Sequence, residues 1–131
     1  MATLTVDTCF LIDHQREVEC RRAGPAQAFF RAHPDDCFAV SSVAWGEYLA
    51  GFDSAEDEFV VAVRQRLSVL AVDEAVAAAY SRVFRALKGR GELIGANDMW
   101  IAACAVAHDL ALVSRNGSEF RRVPGLRVLV Y

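Results

Sequence analysis

Short apolar, β-branched runs alternate along this chain with longer stretches whose apolar residues recur at helical spacing. Leu4-Thr5-Val6, Cys37-Phe38-Ala39-Val40, Val69-Leu70-Ala71-Val72, Leu110-Ala111-Leu112-Val113 and Val128-Leu129-Val130 read as strands. Asp7 and Thr8 are N-cap candidates after the first run, and a helical turn or two is expected over 9–14. Gly24-Pro25 opens a helix over 26–32 that Pro34 stops. Ser41-Ser42 caps another over 43–49, closed by Gly51. Phe59, Val60, Val63 and Leu67 share one face of a helix expected over 54–67, with Asp53, Glu56, Asp57 and Glu58 as its solvated start. Asp73 caps a long helix to Lys88, with Gly89 and Gly91 as stop signals. A last helix opens near Asn97 and runs to Ala107; it is apolar nearly all round, which predicts burial.

Strands that are apolar on both faces and alternate with helices imply a parallel sheet covered on both sides. The expected class is α/β, a three-layer α/β/α sandwich with a mostly parallel central sheet. With 131 residues and no repeat, linker or low-complexity tract, residues 1–131 read as a single domain.

Composition sharpens this picture. The chain is 54% hydrophobic with a mean hydropathy of +0.21, which suggests an apolar core together with apolar surface that a partner covers. No run reaches the roughly 18 apolar residues of a membrane span, and the first residues lack the pattern of a secretion signal, so a cytoplasmic location is expected. Cys9, Cys20, Cys37 and Cys104 form no C-x-x-C pair and no zinc spacing with the histidines; they read as reduced thiols. His14, His33 and His108 have no evident catalytic partner, and Trp45 and Trp100 read as packing residues. A net charge of −3 gives no global sign of nucleic-acid binding.

The candidate chemistry lies in four scattered acids. Ligands of open α/β sheets bind beyond the carboxyl ends of the strands. Asp7 follows the first strand directly, Glu47 lies on the helix after the second, Asp98 starts the apolar helix, and Asn116 and Glu119 follow the fourth strand. Alone, Asp7 or Asp98 is equally well an N-cap, and Glu47 an exposed helix residue; their joint placement points to a site. An unpaired carboxylate beside buried surface is costly, and one divalent cation relieves several at once. All-oxygen donors without nearby His or Cys favour Mg²⁺, with Mn²⁺ as a substitute, over zinc. One ion or two both satisfy this chemistry.

These residues resemble the PIN-domain family, in particular the VapC-type toxins of bacterial toxin–antitoxin pairs. Val6-Asp7-Thr8-Cys9-Phe10-Leu11-Ile12-Asp13 is similar to the family's opening D-T-x-x-L-I-D. Ser41 through Glu47 resembles its S-x-x-x-x-x-E, and Ile94 through Ala103 its I-x-x-N-D-x-x-I-A-A. Leu112-Val113-Ser114-Arg115-Asn116 through Glu119-Phe120 resembles the closing L-V-T-R-N-x-x-D-F, with serine and glutamate where threonine and aspartate are usual. The resemblance implies an endoribonuclease in which metal-activated water hydrolyses RNA phosphodiester bonds. Asp7, Glu47, Asp98 and Glu119 would be its acidic set, with Asp7 and Asp98 the direct metal ligands. Asn116, Ser114 and Thr8 would support them, and Arg115, Arg121 and Arg122 would contact RNA, with Arg16, Arg21 and Arg22 extending that track. Asp13 belongs to the opening motif and reads as structural or on the rim. The implied partners are a second copy of the chain and a small antitoxin covering the site. Helices carrying Trp45, Tyr48, Phe52, Phe59 and Val63 would form the groove that receives an antitoxin helix. The alternative is a catalytically silent module of the same fold that binds RNA or protein.

Overall fold

The computed structural model describes residues 2–131. Its elements are β1 (Thr3–Val6), α1 (Thr8–Glu19), α2 (Pro25–Ala32), β2 (Cys37–Ser41), α3 (Ser42–Leu49), α4 (Glu58–Arg64), β3 (Leu67–Leu70), α5 (Glu74–Gly89), α6 (Ala96–Ala107), β4 (Ala111–Val113), α7 (Gly117–Phe120) and β5 (Val128–Leu129). The strands form one sheet in the order β3-β2-β1-β4-β5, and every pair is parallel. The α/β sandwich expected from the alternating pattern is therefore observed, with a sheet that is wholly parallel.

Strand order explains where a ligand fits. The chain steps outward from β1 through β2 to β3, then returns past β1 to β4 and β5. Right-handed crossovers put the outward helices α1 and α2 and the returning helices α5 and α6 on opposite faces. The loops after β1 and β4 thus diverge and leave a crevice at the carboxyl ends of these neighbouring strands.

The core is built as the apolar pattern requires. Val6, Val40, Leu112 and Val113 are fully buried on the central strands, and α6 buries Met99 and Ile101 through Ala105. A second cluster of Val76, Ala79, Ala103 and Cys104 joins α5 to α6 through small side chains. Truncating Ile101 to alanine at 1% exposure is expected to cost about 2–5 kcal/mol. All four cysteines are free thiols. No described helix is long and apolar enough to cross a membrane.

Three elements differ from the sequence expectation by two residues or more, and α7 has no counterpart in it. α1 runs on to Glu19 instead of ending near His14. Its second half is polar on most sides, so apolar spacing gives no sign of it; Gln15 donates to Glu19 at 3.0 Å and Glu17 ties the helix to α2. The helix expected over 54–67 is only α4, whose N-cap is Asp57, donated to by the Phe59 amide at 2.9 Å. Leu67 follows Val63 at helical spacing but begins β3, paired with Phe38, so β3 lies two residues earlier than expected and Val72 falls outside it.

Candidate active site

Asp7 is the N-cap of α1, directly after β1. Its Oδ1 accepts the Phe10 N–H at 2.9 Å and its Oδ2 accepts the Ser114 hydroxyl at 2.5 Å. Asp7 is 3% exposed and Ser114 is fully buried. Ser114 Oγ in turn accepts the Asn116 N–H at 2.9 Å, and Asn116 Nδ2 donates to Glu119 Oε2 at 3.1 Å. A relay of neutral donors therefore links the end of β1 to the loop after β4.

Glu47 projects from α3 and is fixed from two sides. Thr8 Oγ1 donates to its Oε1 at 2.7 Å and Asn97 Nδ2 to its Oε2 at 3.2 Å. Asp98 stands in the first turn of α6, where the positive end of the helix dipole faces it. Burial raises the Asp98 pKa above the ordinary carboxylate value, and the charges of Glu119, Glu47 and Asp7 raise it further. Asp7 is raised too, by burial first; the Ser114 and Phe10 hydrogen bonds and the Arg115 charge oppose this, while Asp13 adds to it. The difference between the two is instructive: Asp98 has no donor among the described residues that offsets the push.

The charges of Asp7, Glu47 and Glu119 all act on Asp98, so the four acids named from the sequence lie within electrostatic reach of one another. Among the described residues, no three acidic, cysteine or histidine side chains converge tightly enough to enclose an ion unaided. Thr8, Ser114 and Asn116 all contact these carboxylates. Sequence reasoning missed Asn97 as a holder of Glu47; the Asn-Asp pair at the start of an otherwise apolar helix was the available signal.

The arginines divide. Arg115 pairs with Asp13 at 3.0 Å at the rim of the crevice. Arg121 and Arg122 are exposed at the end of α7, and Arg90 donates to the Arg122 carbonyl. Arg16 stands one turn after Asp13 on α1, while Arg21 and Arg22, expected to extend this track, follow the end of that helix, whose twelve residues span about 18 Å. There Arg21 and Arg22 join Arg31, Arg66 and His14 around a separate basin of about 830 Å³. The expected groove also changes: Tyr48 and Val63 are core residues at 2% and 9% exposure, while Trp45, Leu49, Val60 and Val61 line a shallow, largely apolar cleft of about 250 Å³.

Comparison with known proteins fixes the family. The model of the PIN domain matches residues 4–126. The chain belongs to the PIN-domain family. It is similar to Ribonuclease VapC1 of Methanocaldococcus jannaschii, 26% identical over 129 residues, covering 98% of this chain and 86% of that one. It is 39% identical over 93 residues to Ribonuclease VapC2 of Haemophilus influenzae, covering 67% and 70% of the two chains. The structure of VapBC-1 from nontypeable Haemophilus influenzae matches with a TM-score of 0.79 and 25% identity, over 99% of this chain and 98% of that one. Within this PIN domain, the carboxylate crevice lies between the strands where the topology reverses.

Proposed function

We propose that this chain is a single-domain endoribonuclease of VapC type, the toxin of a toxin–antitoxin pair, cutting RNA at a cation held by Asp7, Glu47, Asp98 and Glu119. The observation that carries the reading is the placement of Asp98: half-buried at the start of α6, it feels three other carboxylates, and no side-chain donor or basic group among the described residues pairs with it. The similarity to proteins named ribonucleases supports RNA as substrate.

The donor set fits a hard divalent cation. Mg²⁺ keeps several waters and takes only one or two carboxylates directly, so three acids need not converge in its absence. Asp7 and Asp98 are the direct ligands in this reading, Mg²⁺ is the ion and Mn²⁺ its substitute. When bound, the ion supplies Lewis-acid polarisation of the phosphate and a more acidic water.

The chain's own residues do the rest. Ser114 and the Phe10 amide fix the Asp7 carboxylate so that its free lone pairs stay in one orientation. Thr8 and Asn97 pin both oxygens of Glu47, which leaves its charge in the crevice to orient water or take a proton. Asn116 does the same for Glu119 through one oxygen. Arg115, Arg121 and Arg122 counter the phosphates flanking the cut.

A second copy and a small inhibitory protein complete the proposal. The cleft beside Trp45 and Val61 offers an apolar seat for an amphipathic helix of that inhibitor. The test is cleavage of a labelled structured RNA by purified protein with Mg²⁺, Mn²⁺ or EDTA, beside Asp98→Asn. Metal-dependent cutting that Asp98→Asn abolishes without unfolding supports the reading. A partner-free protein that cuts no RNA with either metal would make it a silent binding module.

A further inference from the structure

Arg115 poses a problem for a cation site. A guanidinium that reaches a buried carboxylate forms one of the strongest ion pairs available, and would neutralise the charge that a metal ion needs. Arg115 is close enough for its charge to act on Asp7. Yet its Nη1 donates to Asp13 instead, at 3.1 Å to Oδ1 and 3.0 Å to Oδ2.

Asp13 is itself held from the other side. Tyr131 donates its hydroxyl to Asp13 Oδ2 at 2.7 Å. The Tyr131 ring packs edge-on against Phe10, with centroids 4.9 Å apart and planes at 82°. Phe10 is fully buried, and its amide is the one that donates to Asp7. The side chain of Asp13 is 17% exposed and that of Arg115 is 54% exposed. The guanidinium is thus anchored at its better-shielded end, by residues from both ends of the described chain. Only Nη1 is spent on Asp13, so Nη2 and Nε are committed to no carboxylate.

We propose that Asp13 and Tyr131 form a positioning clamp that holds the Arg115 guanidinium off Asp7, keeping the carboxylate crevice open to its cation and Arg115 free to meet an adjacent phosphate. This rests on the reading of Asp7, Glu47 and Asp98 as a cation site. Asp13 works through Arg115 and touches no reacting atom. The Arg115 charge already acts on Asp7 and not on Asp98, so without the Asp13 charge the guanidinium is drawn to Asp7 and competes with the ion.

Mn²⁺ binding to the full chain, measured without RNA by the paramagnetic resonance of the free ion, separates this from a structural role. Asp13→Asn is expected to weaken Mn²⁺ about five- to tenfold, on the scale of one pKa unit of carboxylate–cation interaction. Tyr131→Phe weakens it about two- to threefold, and Arg115→Gln alone does not weaken it. Adding Arg115→Gln to Asp13→Asn restores affinity to within about twofold of the parent. A merely structural Asp13 gives a loss that removing Arg115 does not restore, and that result overturns the clamp. Equal affinity in the parent and Asp13→Asn overturns the clamp alone; no Mn²⁺ binding by the parent overturns both the clamp and the cation site. If Asp13→Asn does not fold, Tyr131→Phe with and without Arg115→Gln carries the same test, and absence of rescue overturns the clamp.

Discussion

Helices α2 and α6 meet carboxylates at their amino ends in two different ways. At α2, Glu17 reaches across from α1 and accepts the Ala26 and Gln27 amides at 3.0 and 2.9 Å, one with each oxygen. Gly24 leaves the room for this, because a Cβ there would stand 2.6 Å from Glu17 Cδ. At α6, Asp98 lies in the first turn with Glu119, Glu47 and Asp7 close enough to raise its pKa. A helix terminus carries only about half a positive charge, enough to satisfy one carboxylate and far short of four. The donors around Glu47, Asp7 and Glu119 are neutral, so they fix direction without cancelling charge. Glu17 is a carboxylate used up in holding two helices together, whereas the α6 group is left with charge to spare for a ligand.

Breaking the α6 side gives the largest effect. Asp98→Asn is expected to lower RNA cleavage at least about 100-fold while raising the melting temperature of the metal-free protein, since it removes a charge the fold disfavours. Single-turnover cleavage and a thermal melt in EDTA check both halves. A fall in the metal-free melting temperature would make Asp98 a structural carboxylate like Glu17, and the contrast would collapse.

Adding the ion sharpens the same contrast. Mg²⁺ or Mn²⁺ at about 100 times its dissociation constant is expected to stabilise the parent by about 2.7 kcal/mol. Asp98→Asn should show a much smaller gain in the same calorimetric melt. Breaking the α2 side works in the other direction: Glu17→Ala leaves two helix N–H groups without their acceptor and is expected to cost about 1–2 kcal/mol. It should not lower cleavage per folded molecule, because both Glu17 oxygens are bonded to α2 amides and its charge acts on neither Asp7 nor Asp98. A loss of the ion's stabilising effect in Glu17→Ala would show that the two ends are not independent.

Legibility from the sequence followed burial and chain distance. The central strand runs at β1, β2 and β4 and the apolar helix at α6 were readable because they are largely buried, and buried segments carry unbroken apolar runs. Of the four acids, Asp7 and Asp98 stood out because they follow a strand end or open a helix, whereas Glu47, late in α3, was marked by the motif resemblance. The second half of α1 was not, since polar side-chain ties hold it, and β3 was misplaced because Leu67 suits a helix face and a strand equally well. The links that complete the site span 50 residues from Asn97 to Glu47 and 118 from Tyr131 to Asp13. Those distances close only because β1 lies beside both β2 and β4, and strand order leaves no periodic trace in one chain.

The smallest expected effect belongs to His14, at the arginine end of α1. Its ring is half-buried, packed edge-on against Phe30 with centroids 5.1 Å apart and tilted beside Phe59. Burial lowers its pKa below the usual 6.5, Glu17 partly opposes this and Arg66 adds to it. The unfolded chain takes up a proton near pH 6.5 while the folded one resists, so below that pH the unfolded state binds more protons and stability falls as pH falls. The parent should therefore lose melting temperature between about pH 7.5 and 5.5 relative to His14→Gln, which has no proton to gain. Glu17→Gln should steepen the parent's slope, because it removes the charge that favours the imidazolium. A parent that instead gains stability on acidification relative to His14→Gln would mean that Glu17 dominates His14. Its carboxylate would then not be used up by the α2 amides, and the distinction between the two helix ends would lose its basis.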